Sequence, residues 1–183
     1  MAFGVSLWFD EAFEDAVRAV WRAVAEAGVA TKLVDGPYRP HVTLGVWERV
    51  DRPAADEALA ALTAARAPFA VRFDAFGAFS GPVPGLFATP TVTTRLRELH
   101  ESAYAMLAPH AHEPTARRVP EAWNPHCTLA WGLPAERLPA ALAVALRALP
   151  LPITGMADRV GLIDTPAEVE LAWFPFAAAA PGS

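Results

Sequence analysis

Two pentapeptides carry the chemistry open to this sequence: Pro40-His41-Val42-Thr43-Leu44 and Pro125-His126-Cys127-Thr128-Leu129. Each sets an imidazole two residues from a hydroxyl. Side chains at i and i+2 of a strand project from one face, so His41 stands beside Thr43 and His126 beside Thr128. An imidazole next to a hydroxyl can trade protons and donate a hydrogen bond to an oxyanion. Given the chain's content of Pro, His, Thr and Leu, a second copy of this pattern is expected by accident only about 0.003 times. Duplication with retained function explains it better. Brought together by an approximate two-fold relation, two such pairs would flank one substrate. One His would take a proton from a nucleophile and the other would protonate the leaving oxygen, while the two Thr hydroxyls hold nonbridging oxygens. In-line displacement at phosphorus needs those roles on opposite sides of the phosphate.

The surrounding pattern supplies elements to position these residues. Val5 to Phe9 reads as a buried strand, and Asp10 caps a helix whose stripe is Phe13, Val17, Val20, Trp21 and Val24, ending near Gly28. Thr31 to Val34 is read as a second strand, and residues 40–47 as the first motif strand. Pro53 then sits in the first turn of a helix through Ala67. Phe69 to Phe79 and Leu86 to Val92 form a hairpin around a Gly/Pro-rich turn. A third helix pattern, capped by Thr94, presents Leu96, Leu99, Ala103, Met106 and Leu107. Pro109 to Pro120 reads as a polar loop and residues 125–132 as the second motif strand. A helix opened by Pro134 and strands at Ile153 to Met156, Arg159 to Ile163 and Val169 to Phe176 follow, with 177–183 as a flexible tail. Strand, helix and two further strands follow each motif. The expected architecture is α+β, with antiparallel sheets flanked by helices in a two-lobed, pseudo-two-fold domain spanning 1–183 and a cleft between the lobes.

The paired motifs resemble the two-histidine (2H) phosphoesterase superfamily, within it the bacterial 2′-5′ RNA ligase and cyclic phosphodiesterase branch. That family's mark is a pair of His-x-Thr/Ser motifs, commonly with Pro before His and an aliphatic residue after Thr, and both copies match in full. The 85-residue separation of the two histidines and the two-lobed element order agree with it. The resemblance implies an enzyme without metal or cofactor that opens 2′,3′-cyclic phosphates or related 2′-5′ linkages, with His41, Thr43, His126 and Thr128 as catalytic residues. Joining of RNA ends, or recognition of RNA termini without turnover, are the alternatives it leaves.

Other residues divide between binding and structure. Trp47, in phase with His41 and Thr43, and Tyr38, Arg39 and Trp123, in the approaches to the motifs, are the substrate-binding candidates, since an aromatic face can stack a base. Arg117 and Arg118 are further basic candidates near the cleft. Trp131, out of phase with His126, is expected to face the core. Alternation also turns Cys127 away from the site, as a buried inert thiol. His110, His112 and Glu113 form the best metal-like cluster but lack a further ligand, and His100 is read as a surface residue.

Composition bounds the partners. A net charge of −5 argues against a surface that tracks long duplex nucleic acid, yet it leaves room for a small cyclic-phosphate nucleotide or an RNA terminus. One cysteine allows no disulfide framework, and the acidic start, with Asp10, Glu11 and Glu14, does not read as a secretory signal. With no apolar run near the roughly 20 residues a spanning helix needs, no membrane partner is expected. The chain is expected to be a cytoplasmic monomer.

Overall fold

In the computed structural model, which describes residues 2–178, all strand pairings are antiparallel and helices cover the sheet. The chain starts with β1 (Phe3–Phe9) and α1 (Glu11–Glu26). The Asp10 Oδ1 accepts the Phe13 amide at 2.9 Å, which caps α1, and the Phe13, Val17, Val20, Trp21 and Val24 stripe is buried. A single-turn helix, α2 (Lys32–Asp35), replaces the strand expected over Thr31 to Val34. Its residues are mostly exposed and pair with no strand among the described residues, so β propensity had no ladder to join.

The first motif strand is β2 (Val42–Val50), followed by α3 (Arg52–Ala64), β3 (Phe69–Phe79) and β4 (Gly85–Pro90). Next comes α4 (Thr94–Leu107), capped by Thr93 rather than Thr94 through a 3.2 Å bond from the Leu96 amide. The expected polar loop instead contains β5 (Ala111–Pro114), an edge strand on β2. The second motif strand is β6 (Cys127–Trp131), and α5 (Leu138–Ala148), β7 (Ile153–Asp164) and β8 (Val169–Pro175) complete the order. The two strands expected over residues 153–163 are one long β7. The Ala177 amide is held by the Thr63 and Arg66 carbonyls, whereas 179–183 of the expected tail lie outside the described residues.

The strands run in the order β5-β2-β1-β7-β3-β4-β6, with β8 on β7. Equating β1 with β4, β2 with β6 and β3 with β7, the six strands from β2 to β6 read the same in either direction. That palindrome is the pseudo-two-fold relation. The repeated unit is therefore larger than the motif spacing suggested: each begins a strand and a helix before its motif. The dyad passes between β3 and β7, whose pairing (Phe69 to Phe73 with Ile153 to Ala157) joins the halves. Helices α1 and α4 correspond, and each packs against the other half's motif strand, α1 on β6 and α4 on β2. Val42, Leu44, Cys127 and Leu129 point into one shared core, so both motif strands are anchored from behind.

Candidate active site

Each motif histidine stands one residue before its strand. His41 Nδ1 lies 2.7 Å from the Arg39 carbonyl and His126 Nδ1 lies 2.7 Å from the Asn124 carbonyl. A carbonyl only accepts, so each Nδ1 carries the proton when the ring is neutral and each Nε2 keeps its lone pair. The carbonyl of each motif threonine is pinned from the opposite half: Trp21 Nε1 on α1 donates to the Thr128 carbonyl at 2.9 Å, and Trp123 Nε1 donates to the Thr43 carbonyl at 2.9 Å. The two halves hold their catalytic candidates by the same pair of bonds.

Both motif strands then break their alternation at the same place. Opposite β1, the register passes from Ser6–Thr43 to Val5–Gly45, and opposite β4 it passes from Phe87–Thr128 to Leu86–Ala130. Each is a β-bulge, one extra residue that shifts the phase of everything after it. Leu44 and Gly45, like Leu129 and Ala130, are consecutive buried residues. Beyond the bulge, Val46 and Trp131 face the cleft, and Trp47 turns to the core.

His41, Thr43, His126 and Thr128 line one chamber of about 230 Å³, together with Tyr38, Arg39, Ser6, Arg118 and Trp131. The binding candidates fare unequally. Tyr38 is on the wall. Arg39 is there too, but its guanidinium is committed: Nε lies 2.6 Å from the buried Glu14 Oε1, and its Cζ sits 4.5 Å above the Trp8 ring. It acts as a strut that also supplies the carbonyl beneath His41. Trp47 does not reach the chamber; it is 2% exposed and packs on Tyr104 at 5.6 Å, a correction traceable to the bulge. Trp123 lies behind the strand, bonded to Thr43 and stacked at 4.0 Å on His100. His100 is itself 1% exposed with Nε2 at 3.2 Å from the Arg118 carbonyl, so it is a buried support and not a surface residue.

Two cleft residues, Trp131 and Ser6, escape the sequence reading or are misplaced by it, while Arg118 lies at the cleft as expected. Trp131 faces the chamber because of its bulge, with the Lys32 ammonium 6.0 Å from its ring. Arg118 has no carboxylate partner among the described residues, which the separation of Glu and Arg in sequence could not reveal. Ser6 is fully buried, lines the chamber, and leaves its Oγ without a hydrogen-bond partner among the described residues. Its only sequence signal was phase: Gly4, Ser6 and Trp8 alternate with the core residues Val5, Leu7 and Phe9. The metal-like cluster does not gather, since Glu113 is 2.7 Å from Arg49 across the β2–β5 edge.

The chamber holds its imidazoles neutral. Burial brings His126 down to about 4, with Arg118 and His41 adding to the effect and the bond to Asn124 opposing it. Burial lowers His41 too, opposed by the Arg39 carbonyl and aided by Arg118. The environments differ between the halves: His126 is boxed by Phe79 (4.9 Å) and Phe87 (5.1 Å), and the dyad mate of Phe87 beside the first motif is Ser6. Cys127 is fully buried, and burial pushes its thiol up to about 12, leaving it protonated and inert.

A two-lobed α+β fold with a paired His-x-Thr cleft is the frame of a 2H phosphoesterase. The chain belongs to the 2′-5′ RNA ligase superfamily, whose family model matches residues 48–167, and the LigT-like phosphoesterase model matches residues 8–87. Its fold is similar to that of TT0787 of Thermus thermophilus, at 17% identity and TM-score 0.66, over 98% of this chain and 100% of that one. It is also similar to E. coli LigT complexed with 3′-AMP (14%, TM-score 0.59, 95% and 97% covered) and to Kluyveromyces marxianus Usb1 (9%, TM-score 0.53, 96% and 98% covered). No curated protein sequence matches the chain. No helix among the described residues is long and apolar enough to cross a membrane.

Proposed function

We propose that the protein is a phosphoesterase that opens 2′,3′-cyclic phosphates or related 2′-5′ diesters by paired-histidine acid–base catalysis. The observation that carries this reading is the convergence of both His-x-Thr pairs on one chamber, each imidazole held through Nδ1 so that Nε2 is free for proton transfer. The neutral, aromatic-boxed His126 is the general base: its Nε2 takes a proton from water as the water oxygen bonds to phosphorus. The ester P–O bond breaks on the far side, and the leaving oxygen takes a proton from the His41 imidazolium. Negative charge on the bound phosphate raises the His41 pKa and so favours that charged form. Thr43, Thr128 and the unneutralised Arg118 hold the nonbridging oxygens, where charge grows in the transition state. The similarity to LigT, solved with 3′-AMP, supports a nucleoside phosphate as the product class.

Ser6 supplies a third hydroxyl to this cradle. A buried hydroxyl without a partner costs about 1–3 kcal/mol, which a phosphate oxygen would offset on binding. Ser6→Ala should therefore raise the thermal midpoint by about 2–12 °C while lowering turnover, a split that calorimetry and initial rates would read. A fall in midpoint would show that Ser6 has an internal partner instead.

Hydrolysis of a panel of 2′,3′-cyclic nucleotides and 2′-5′ dinucleotides, in EDTA, tests the reading. Turnover with a monoester product supports it. Appearance of a joined product from two RNA ends would favour the ligase direction, and binding with no conversion would leave a recognition module.

A further inference from the structure

The chamber does not end at the phosphate cradle. Its floor follows β1 away from Ser6 to Gly4 and ends on the turn between β7 and β8, where Thr165 and Glu168 close it. The Thr165 amide and hydroxyl both donate to the Ala2 carbonyl at 2.8 Å, so this turn is fixed to the start of β1. From Ser6 back to Ala2 the chain covers about 13 Å at the rise of a strand, room for a nucleoside to lie between the cradle and the turn. Tyr38 and Trp131 stand on the walls of the same chamber and offer its base an aromatic face.

Glu168 is the one carboxylate on the chamber's lining among the described residues, and it makes no hydrogen bond or ion pair with them. Burial pushes its carboxyl up, opposed by the Lys32 ammonium. Its backbone is left-handed, at φ 54°, a conformation that a glycine would hold with less strain. A glutamate at this position therefore costs stability in the backbone, and its charge repels the phosphate that the cradle is built to hold. A ligand that brings N–H donors to the carboxylate offsets both effects.

Among the bases of RNA, guanine alone presents two adjacent donors, N1–H and N2–H, to the two oxygens of a carboxylate, with the O6 acceptor next to them. Adenine and cytosine each set one donor beside an acceptor ring nitrogen, and uracil sets its N3–H between two carbonyls. Lys32 supplies the cation for O6: its ammonium lies 6.0 Å from the Trp131 ring and has no ion-pair partner among the described residues. We propose that Glu168 selects guanine, its carboxylate accepting from N1–H and N2–H of the nucleoside whose ribose bears the scissile phosphate, with Lys32 facing O6. This rests on the phosphoesterase reading and adds the base preference that the reading leaves open.

The test is kcat/KM on the 2′,3′-cyclic phosphates of guanosine, adenosine, cytidine and uridine, in wild type, Glu168→Gln and Glu168→Gly. Wild type is expected to prefer guanosine by about tenfold or more, the scale of a bidentate base contact. Gln exchanges one acceptor for a donor, and Gly removes the side chain while suiting the left-handed backbone. Each should lower the guanosine value by about tenfold through KM and the uridine value far less. A wild type that prefers another base or none, a guanosine preference that survives in either variant, or an equal loss on every base would overturn the assignment. If wild type converts none of the four, the phosphoesterase reading stands or falls separately on 2′-5′ dinucleotides. Calorimetric titration of 3′-GMP and 3′-UMP then decides the base preference: tighter binding of 3′-GMP that is lost in Glu168→Gln supports it, and equal or absent binding overturns it.

Discussion

Replacing His41 or His126 with alanine is expected to lower kcat/KM by at least about 10²-fold, the loss typical of a missing general acid or base. The two losses should not multiply. Both imidazoles serve one displacement, so the double variant should be little slower than the worse single one. A double variant as slow as the product of the two singles would mean that the histidines act at separate sites. The folded state should tolerate the change at His41 better than at His126, because the latter fills a box between Phe79 and Phe87. Circular dichroism and thermal midpoints of the three variants separate lost chemistry from lost packing.

The same burial makes the protein acid-sensitive in a defined window. His126 has a folded value of about 4 against an unfolded 6.5, so the unfolded chain binds its proton first. Its contribution to stability is complete above about pH 6.5 and is lost as pH falls towards 4. By pH 5 that loss amounts to about 2 kcal/mol from this residue, with further losses of the same sign from His41 and His100, whose values burial also lowers. Urea unfolding at pH 7.5 and pH 5 in wild type and His126→Gln measures it: the variant should lose less stability between the two pH values. Equal acid sensitivity in both would show that His126 is solvated in the native protein.

How much of this was legible in the sequence follows from which interactions are local. The two His-x-Thr pairs, the strands that carry them and the burial of Cys127 away from the cleft rest on period-two alternation, a property of the backbone itself, and the capping Asp10 and the α1 stripe rest on helical periodicity. What alternation cannot foresee is its interruption. The bulges at Leu44 and Leu129 are set by pairing with β1 and β4, far off in the chain, and they exchange Trp47 for Val46 and bring Trp131 to the cleft. Long-range pairing also made an edge strand of Ala111 to Pro114 inside a polar loop, and buried His100 behind Trp123. Arg39 carried the right signal, a cation next to the motif. Glu14, 25 residues earlier, takes its guanidinium, a contact that exists only once α1 has docked.

That one imidazole accepts a proton while the other donates one is tested most directly by kcat/KM as a function of pH, for wild type and each single-histidine variant that retains measurable activity. The sequence alone suggests a bell bracketing neutrality, because free imidazole titrates near 6.5. Burial lowers both histidines, so the singly protonated pair is most abundant at lower pH. A bell with its maximum on the acid side of 6.5 is therefore expected. Its two apparent pKa values belong to the coupled pair, and each single variant should lose one limb. A flat wild-type profile from about pH 5 to 9 would contradict paired acid–base catalysis, since neither imidazole would then move a proton in the limiting step.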